Sequence, residues 1–295
     1  MEPAGQVSIL FKNVYLHTCS GLTRGYLYIE DGVVRDYGVE PKPGYGLSQL
    51  VYDFNYKAVV LHGFSYCIKP SIYPYRSSTI AGRASGVLSW YVRASIIEAI
   101  RYGVTLPIVH DSIDYIGYVV DTARMLGVRI GFVYDSLDHS VLEKYACVKN
   151  IVHIVLSRDR MDNVYSLDPS LFCSEESITS DCILVDTGSM YPPFILYHRL
   201  LARGISYERA YELLYGGYRA TGLSKGCIEK GVRADILVYS LDDLKKPLVE
   251  RDPLAIALRG YPPDIVVVSG EVVVEREYSY LTDVKKVIDK LPDVV

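Results

Sequence analysis

The stretch that decides the fold is GLSKGCIEKGVRADILV, Gly222 to Val238, in which glycines punctuate short apolar runs and the last residues read as a strand. Further on, DIVVVSGEVVVE (Asp264 to Glu275) places Ile265 to Val268 and Val272 to Val274 on either side of Ser269-Gly270-Glu271, a hairpin pattern. The front of the chain repeats the device. Tyr26 to Glu30 and Val33 to Tyr37 flank Asp31-Gly32, a dipeptide suited to the positive φ angles of a tight turn. Two β-rich pieces so far apart complete one sheet only if the chain between them leaves and returns.

The middle alternates periods. A helix is expected over Ser85 to Tyr102, with Leu88, Tyr91, Val92, Ile96, Ala99 and Ile100 on its apolar face and Gly103 at its end. Then come a strand (Thr105 to Val109), a helix (Ile113 to Leu126) closed by Gly127, a strand (Val128 to Tyr134), a further helix and a strand (Ile151 to Leu156). A last strand, Ile183 to Val185, precedes helices over Pro193 to Arg203 and Tyr207 to Ala220, with Gly216-Gly217 read as a turn. Strands alternating with helices imply an α/β fold with a parallel sheet or barrel. The strand count is short, since a closed (β/α)8 barrel takes about 250 residues by itself.

The two ends resemble those of the metal-dependent amidohydrolase superfamily. In that family the front leads through Asp-x-x-Gly into Pro-Gly-Phe and then an HxH pair. Here Asp53 stands in the Asp position, and His62, Gly63 and Phe64 stand where Pro-Gly-Phe would be. Gly222-Leu223, Gly226-Cys227-Ile228 and Gly231-Val232-Arg233-Ala234-Asp235-Ile236-Leu237-Val238 are similar to the family's rear pattern of Gly-Leu, Gly-x-Ile and Gly-x-x-Ala-Asp-Leu-Val. Asp252-Pro253-Leu254 ahead of Asp264-Ile265-Val266 resembles the deaminase and chlorohydrolase branch. The resemblance implies a composite β-sandwich from 1–57 plus 224–281, a partial or shortened TIM-like (β/α) barrel over 58–223, and a C-terminal helix in 282–295. It also implies metal-dependent hydrolysis of carbon–nitrogen bonds, with zinc as the expected metal. Yet the two metal histidines fall by this count at Ile68 and Pro70, whose side chains bind no metal. A degenerate relative, with no cofactor, is therefore the leading expectation. Its alternatives are an active hydrolase or deaminase with a metal site rebuilt around His110, His153 and Asp186, and a non-catalytic binding or structural subunit.

Three strand-like runs end in an acid, at Asp111, Asp135 and Asp186. Ligands collect at the carboxyl ends of parallel strands, so Asp111 and Asp135 are candidate ligand-binding residues. Val185-Asp186-Thr187-Gly188-Ser189 resembles the family's final-strand Gly-Thr-Asp-Ser region, which implies a catalytic, proton-moving and metal-binding role for Asp186. The competing reading is helix capping, because Asp111-Ser112, Asp135-Ser136 and Asp186-Thr187 each precede an expected helix. Carboxylates alone suit Mg2+, Mn2+ or Ca2+ better than zinc. No GxSxG, P-loop, GxGxxG or HExxH pattern occurs.

With 295 residues, 49% hydrophobic, the chain can fill a large core. A net charge of −4 without a basic stripe argues against nucleic acid as a partner. No apolar run approaches the roughly 20 residues of a membrane span, and the start lacks a secretory signal, so a cytoplasmic location is expected. The six cysteines form no CxxC pair and read as buried thiols. Asparagine and glutamine are scarce, which fits a hyperthermophile. Ser71-Ile72-Tyr73-Pro74-Tyr75-Arg76 suits either a cover for a small-molecule site or a homo-oligomer contact.

Overall fold

The computed structural model describes residues 7–72, 85–135, 144–145, 148, 150–158, 164–188, 192–241, 250–276, 278–281 and 287. The chain divides into two compact units, Met1–Gly63 with Leu223–Tyr280, and Phe64–Gly222 with Leu281–Val295. In chain order, strands β1 (Ile9–Thr18), β2 (Gly21–Glu30), β3 (Val33–Gly38), β4 (Leu50–Asp53) and β5 (Ala58–His62) precede β6 (Cys67–Ile68), β7 (Ile108–Val109), β8 (Ile130–Tyr134) and β9 (Ile151–Leu156). Strands β10 (Tyr165–Leu167), β11 (Phe172–Ser174), β12 (Leu184–Asp186), β13 (Ile236–Ser240), β14 (Ile265–Val268), β15 (Glu271–Glu275) and β16 (Tyr278–Ser279) follow.

In the first unit the two ends of the chain share one nine-stranded sheet, in the order β16-β15-β14-β13-β5-β1-β2-β3 with β4 also on β1. One edge of β1 serves two parallel partners, β4 beside Ile9 to Lys12 and β5 beside Tyr15 and Leu16. The switch falls at Asn13, where φ is 52° and the β1–β2 register shifts, so that Ile9, Phe11, Val14 and Leu16 all reach the same core. The Asn13 amide donates to Asp53 Oδ1 at 2.8 Å, which makes Asp53 a fastener for this bulge. Ala58 to His62 was expected to open the barrel portion; it lies instead in this sheet, because its backbone pairs with β13 from Ala58↔Ser240 to His62↔Ile236.

Both expected hairpins form, with Asp31, Gly32, Ser269 and Gly270 all in the left-handed region. The two turns touch. A Cβ on Gly270 would lie 2.3 Å from Gly32 Cα, so no side chain fits there. The rear motif holds both turns: Ala234 N donates to Gly32 O, Gly270 N to Ala234 O, and Ser269 N to the buried Asp235 carboxylate at 2.7 Å. The reading of all cysteines as free thiols needs correction, because Cys19 and Cys227 form a disulfide across 208 residues. Thr18 and Ile228 bridge the same two segments, which brings the sulfurs together despite their distance in sequence. Cys67, Cys173 and Cys182 are buried free thiols.

Asp36 is the other buried anchor of this unit. Its carboxylate accepts from Tyr26 Oη (2.9 Å), Tyr45 Oη (3.1 Å), Lys42 Nζ (2.7 Å) and Lys230 Nζ. Burial pushes its pKa up, but these four donors outweigh burial and hold it well below the usual carboxylate range.

In the second unit, strands β6 to β10 form a parallel sheet in the order β10-β9-β8-β7-β6, and β11 pairs in parallel with β12. The run Tyr165 to Ser174 joins the two pieces, pairing first with β9 and then with β12. Strand β12 lies beside β6, where Thr187 Oγ1 donates to Cys67 O at 3.2 Å. No strand ladder links β6 to β12 among the described residues, so no closed barrel is formed by hydrogen bonding. Helices α1 (Ser85–Arg101), α2 (Ile116–Leu126), α3 (Pro193–Ala202), α4 (Tyr207–Leu213) and α5 (Gly216–Thr221) belong to this unit, and α6 (Ala255–Leu258) to the first. Gly216-Gly217 is the start of α5 and no turn. A Cβ on Gly216 would meet Ile183 O at 2.4 Å, and one on Gly217 would meet Ser65 Oγ at 2.1 Å, so the pair permits close packing of a helix end on strand backbone. The C-terminal helix expected in 282–295, apart from Val287, and Tyr73 to Arg76 lie outside the described residues. Among the described residues no helix is long and apolar enough to cross a membrane.

Gly270→Ala is expected to lower stability by about 2 kcal/mol or more in urea denaturation, since it adds a left-handed non-glycine and a backbone clash. Asp36→Asn is expected to cost roughly 2–3 kcal/mol at neutral pH, less than a fully enclosed pair because both lysines are solvent-exposed. The wild-type contribution is present above the unfolded carboxylate pKa and is lost as pH falls through the lower folded value, so the difference between the two proteins should shrink in acid melts.

Candidate functional site

The site lies in the second unit, at the carboxyl ends of β6, β7, β8 and β12. Each strand is apolar and buried up to its last residues and then delivers a polar side chain: Lys69 after β6, His110 and Asp111 after β7, Asp135 after β8, and Asp186 as the last residue of β12. Strand β7 ends at Val109, so the alternation that would send His110 and Asp111 to opposite faces no longer applies.

His110 is the centre of the arrangement. Its Nδ1 lies 2.9 Å from Asp186 Oδ2 and its Nε2 lies 3.0 Å from Asp135 Oδ1. Phe172 presents to the ring at 4.9 Å and 81°, an edge-to-face contact. Carboxylates only accept hydrogen bonds, so both ring nitrogens must donate and the geometry selects the imidazolium. Burial opposes that charge, but Asp186 and then Asp135 outweigh burial and raise the His110 pKa. Asp186 also accepts from Gly188 N at 2.9 Å. Burial pushes its carboxyl up, and the bonds from His110 and Gly188, with the charge of Lys69, bring it below the ordinary value.

Capping of the helices that follow them does not account for Asp111 and Asp186. Asp111 Oδ1 accepts from Ser112 N and Oδ2 from Ser71 N, both at 2.9 Å, so it ties the loops after β6 and β7 together. The cap of the following 3-10 turn is Ser112. Helix α3 begins at Pro193 behind Pro192, well past Asp186.

His153 does not join His110. Burial lowers its pKa; Nδ1 lies 2.7 Å from Tyr134 Oη and Nε2 lies 3.1 Å from Tyr145 O. A carbonyl only accepts, so Nε2 carries the proton and Nδ1 receives the tyrosine hydroxyl. The residues at the site do not compose a zinc centre. Ile68 and Pro70 offer no donor, both nitrogens of His110 and of His153 are already bonded, and among the described residues no three His, Cys, Asp or Glu side chains form a group that could hold a metal ion. The donor set does not fit zinc, which takes three protein ligands around one open position in catalytic sites.

A pocket of about 410 Å³ opens beside His110, with Lys69, Asp111, Ile113, Phe132 and Asp135 in its lining. Lys69 and Phe172 were not singled out from the sequence, and Ser71 entered only as the start of the Ser71-to-Arg76 stretch. Of the first two, only Lys69 carried a usable signal, since it falls between Ile68 and Pro70, the positions that the resemblance assigns to the HxH pair.

No protein-family model matches the chain, and comparison with curated proteins finds no match. Solved structures do match. A triazine hydrolase variant superposes with a TM-score of 0.71 at 13% identity, covering 97% of this chain and 98% of that one. Atrazine chlorohydrolase from Arthrobacter aurescens, complexed with zinc, gives 0.67 at 12% identity, covering 96% and 99%. E. coli guanine deaminase gives 0.62 at 13%, covering 93% and 100%. These structural neighbours are amidohydrolase-superfamily members, and the chain is similar to them in fold.

In the wild type, the Cε1–H resonance of His110 is expected to titrate above the ordinary imidazole value of about 6.5. Asp186→Asn should bring that midpoint down. A group with a raised folded pKa contributes stability that is complete below the unfolded value and is lost as pH rises through the folded one. The ion pairs of His110 should therefore stabilise the protein at mildly acidic pH and fade on the alkaline side. A midpoint unchanged by the substitution would show that Asp186 does not hold the charge.

Proposed function

We propose that this protein keeps the amidohydrolase fold, with 64–222 as a shortened barrel and 1–63 plus 223–280 as a composite β-sandwich, but has lost the family's metal centre. Its strand-end site binds a small molecule. The observation that carries this reading is the pair Ile68 and Pro70 at the HxH positions, where side chains without donors end β6 and open the next turn. Every ring nitrogen of the two remaining histidines near the strand ends already has a partner, so a metal would have to displace a carboxylate from His110, or Tyr134 or the Tyr145 carbonyl from the buried His153. A hydrolytic zinc polarises a carbonyl and acidifies its bound water. What the chain's own residues supply is an oriented imidazolium, an ammonium and an exposed carboxylate around a pocket of ligand size.

The test is metal content by inductively coupled plasma mass spectrometry, on protein purified without affinity-column metal and again after incubation with zinc and manganese. Less than about one-tenth of an ion per chain is expected in both. About one retained ion per chain, lost on Asp186→Asn, would overturn the reading in favour of a hydrolase with a rebuilt site.

A further inference from the structure

The two carboxylates on His110 differ in one respect. Asp186 is largely enclosed, with a side chain 21% exposed, whereas that of Asp135 is 75% exposed. An exposed carboxylate gains little from one ion pair and can leave it at small cost. The ring itself stays fixed, because Asp186 holds Nδ1 and Phe172 packs on its face. Its Nε2–H is then a preset donor at the pocket, and Asp135 is a replaceable acceptor on it. We propose that Asp135 sits in the seat of a ligand carboxylate, and that the pocket takes a small organic acid whose carboxylate displaces Asp135 from His110 Nε2. Lys69 is the second donor, and Ile113 and Phe132 line the space for the acid's apolar part. This rests on the reading of the strand ends as a small-molecule site.

The charges favour an acid over an amine once Asp135 has swung to solvent. Asp186 is occupied by His110 and Gly188 N–H, and Asp111 spends both oxygens on the backbone of Ser71 and Ser112. The pocket then presents His110 and Lys69 as its cationic donors, while the Asp111 carboxylate in its lining has both oxygens turned to backbone N–H groups. An amine would be drawn only to Asp135 where it now lies and would meet those two cations beside it. About 410 Å³ suits a compact aromatic or branched acid, near the lower end of ordinary ligand sites.

The experiment is isothermal titration of benzoate, benzamide and benzylamine into chelator-treated protein, in the wild type, Asp135→Ala, Asp135→Gly and Lys69→Met. Benzoate is expected to bind the wild type, to bind both Asp135 variants tighter by roughly tenfold, since the internal competitor is gone, and to bind Lys69→Met more weakly. Benzamide and benzylamine should bind less than benzoate throughout. Asp135 is exposed, so a melting curve like the wild type's should accompany both of its substitutions. Benzoate affinity unchanged or reduced in the Asp135 variants would overturn the proposal while leaving a metal-free ligand site intact. So would benzylamine binding that is lost with Asp135, or no benzoate binding at all. Benzoate binding that appears only after zinc is added would instead remove the underlying reading of the site.

Discussion

The pairing of β5 with β13 is the interaction on which the rest depends. It joins residues 58–62 to residues 236–240 in a five-residue antiparallel register, and every strand contributed by the rear of the chain reaches the sheet through it. Gly63 N continues the ladder onto Asp235 O, so the point where the chain leaves this unit is fixed against the rear motif. With both ends held, the segment between them is a closed excursion. Loop-closure entropy grows only slowly with length, so such a frame can tolerate a shorter or longer middle at little added cost.

The same frame explains why the rear motif was legible. Asp235 is buried and accepts from Ser269 N; Ala234 bonds to both hairpin turns; Gly231 N donates to Val34 O. These three residues of the pattern have structural duties in the sheet, and none lines the pocket. The hairpins were legible for a related reason, because Asp31-Gly32 and Ser269-Gly270 encode their own left-handed turns locally. Helix α2 was legible to the residue at its end, where Gly127 takes φ of 70°.

What could not be read depended on partners distant in sequence. Cys19 and Cys227 are 208 residues apart and meet only because Thr18 and Ile228 bridge. Asp36 lies on an ordinary-looking strand, and its four side-chain donors come from three other segments of the chain. At the site, three acids at strand ends could be marked, but not that His110 would take two of them. That outcome needs the ends of β7, β8 and β12 brought together across β6, and His110 and Asp186 are 76 residues apart in sequence. The short strands failed for a different reason. Thr105 and Leu106 both donate to Phe64 O, so the expected five-residue strand is reduced to Ile108 and Val109.

The sheet of the first unit and the strand-end site of the second rest on separate physical interactions. The sheet of the first unit is held by backbone pairing, close glycine contacts and a buried carboxylate network, none of which involves the strand-end residues of the second. In that second unit, Lys69 and His110 introduce positive charge where Asp111, Asp135 and Asp186 gather negative charge, so the acids compensate one another's repulsion through protein cations. A metal ion would do the same work with two charges at one point. An imidazolium clamped between two carboxylates already does it with one charge spread over a ring, which leaves its Nε2–H directed at the exposed carboxylate rather than at a metal.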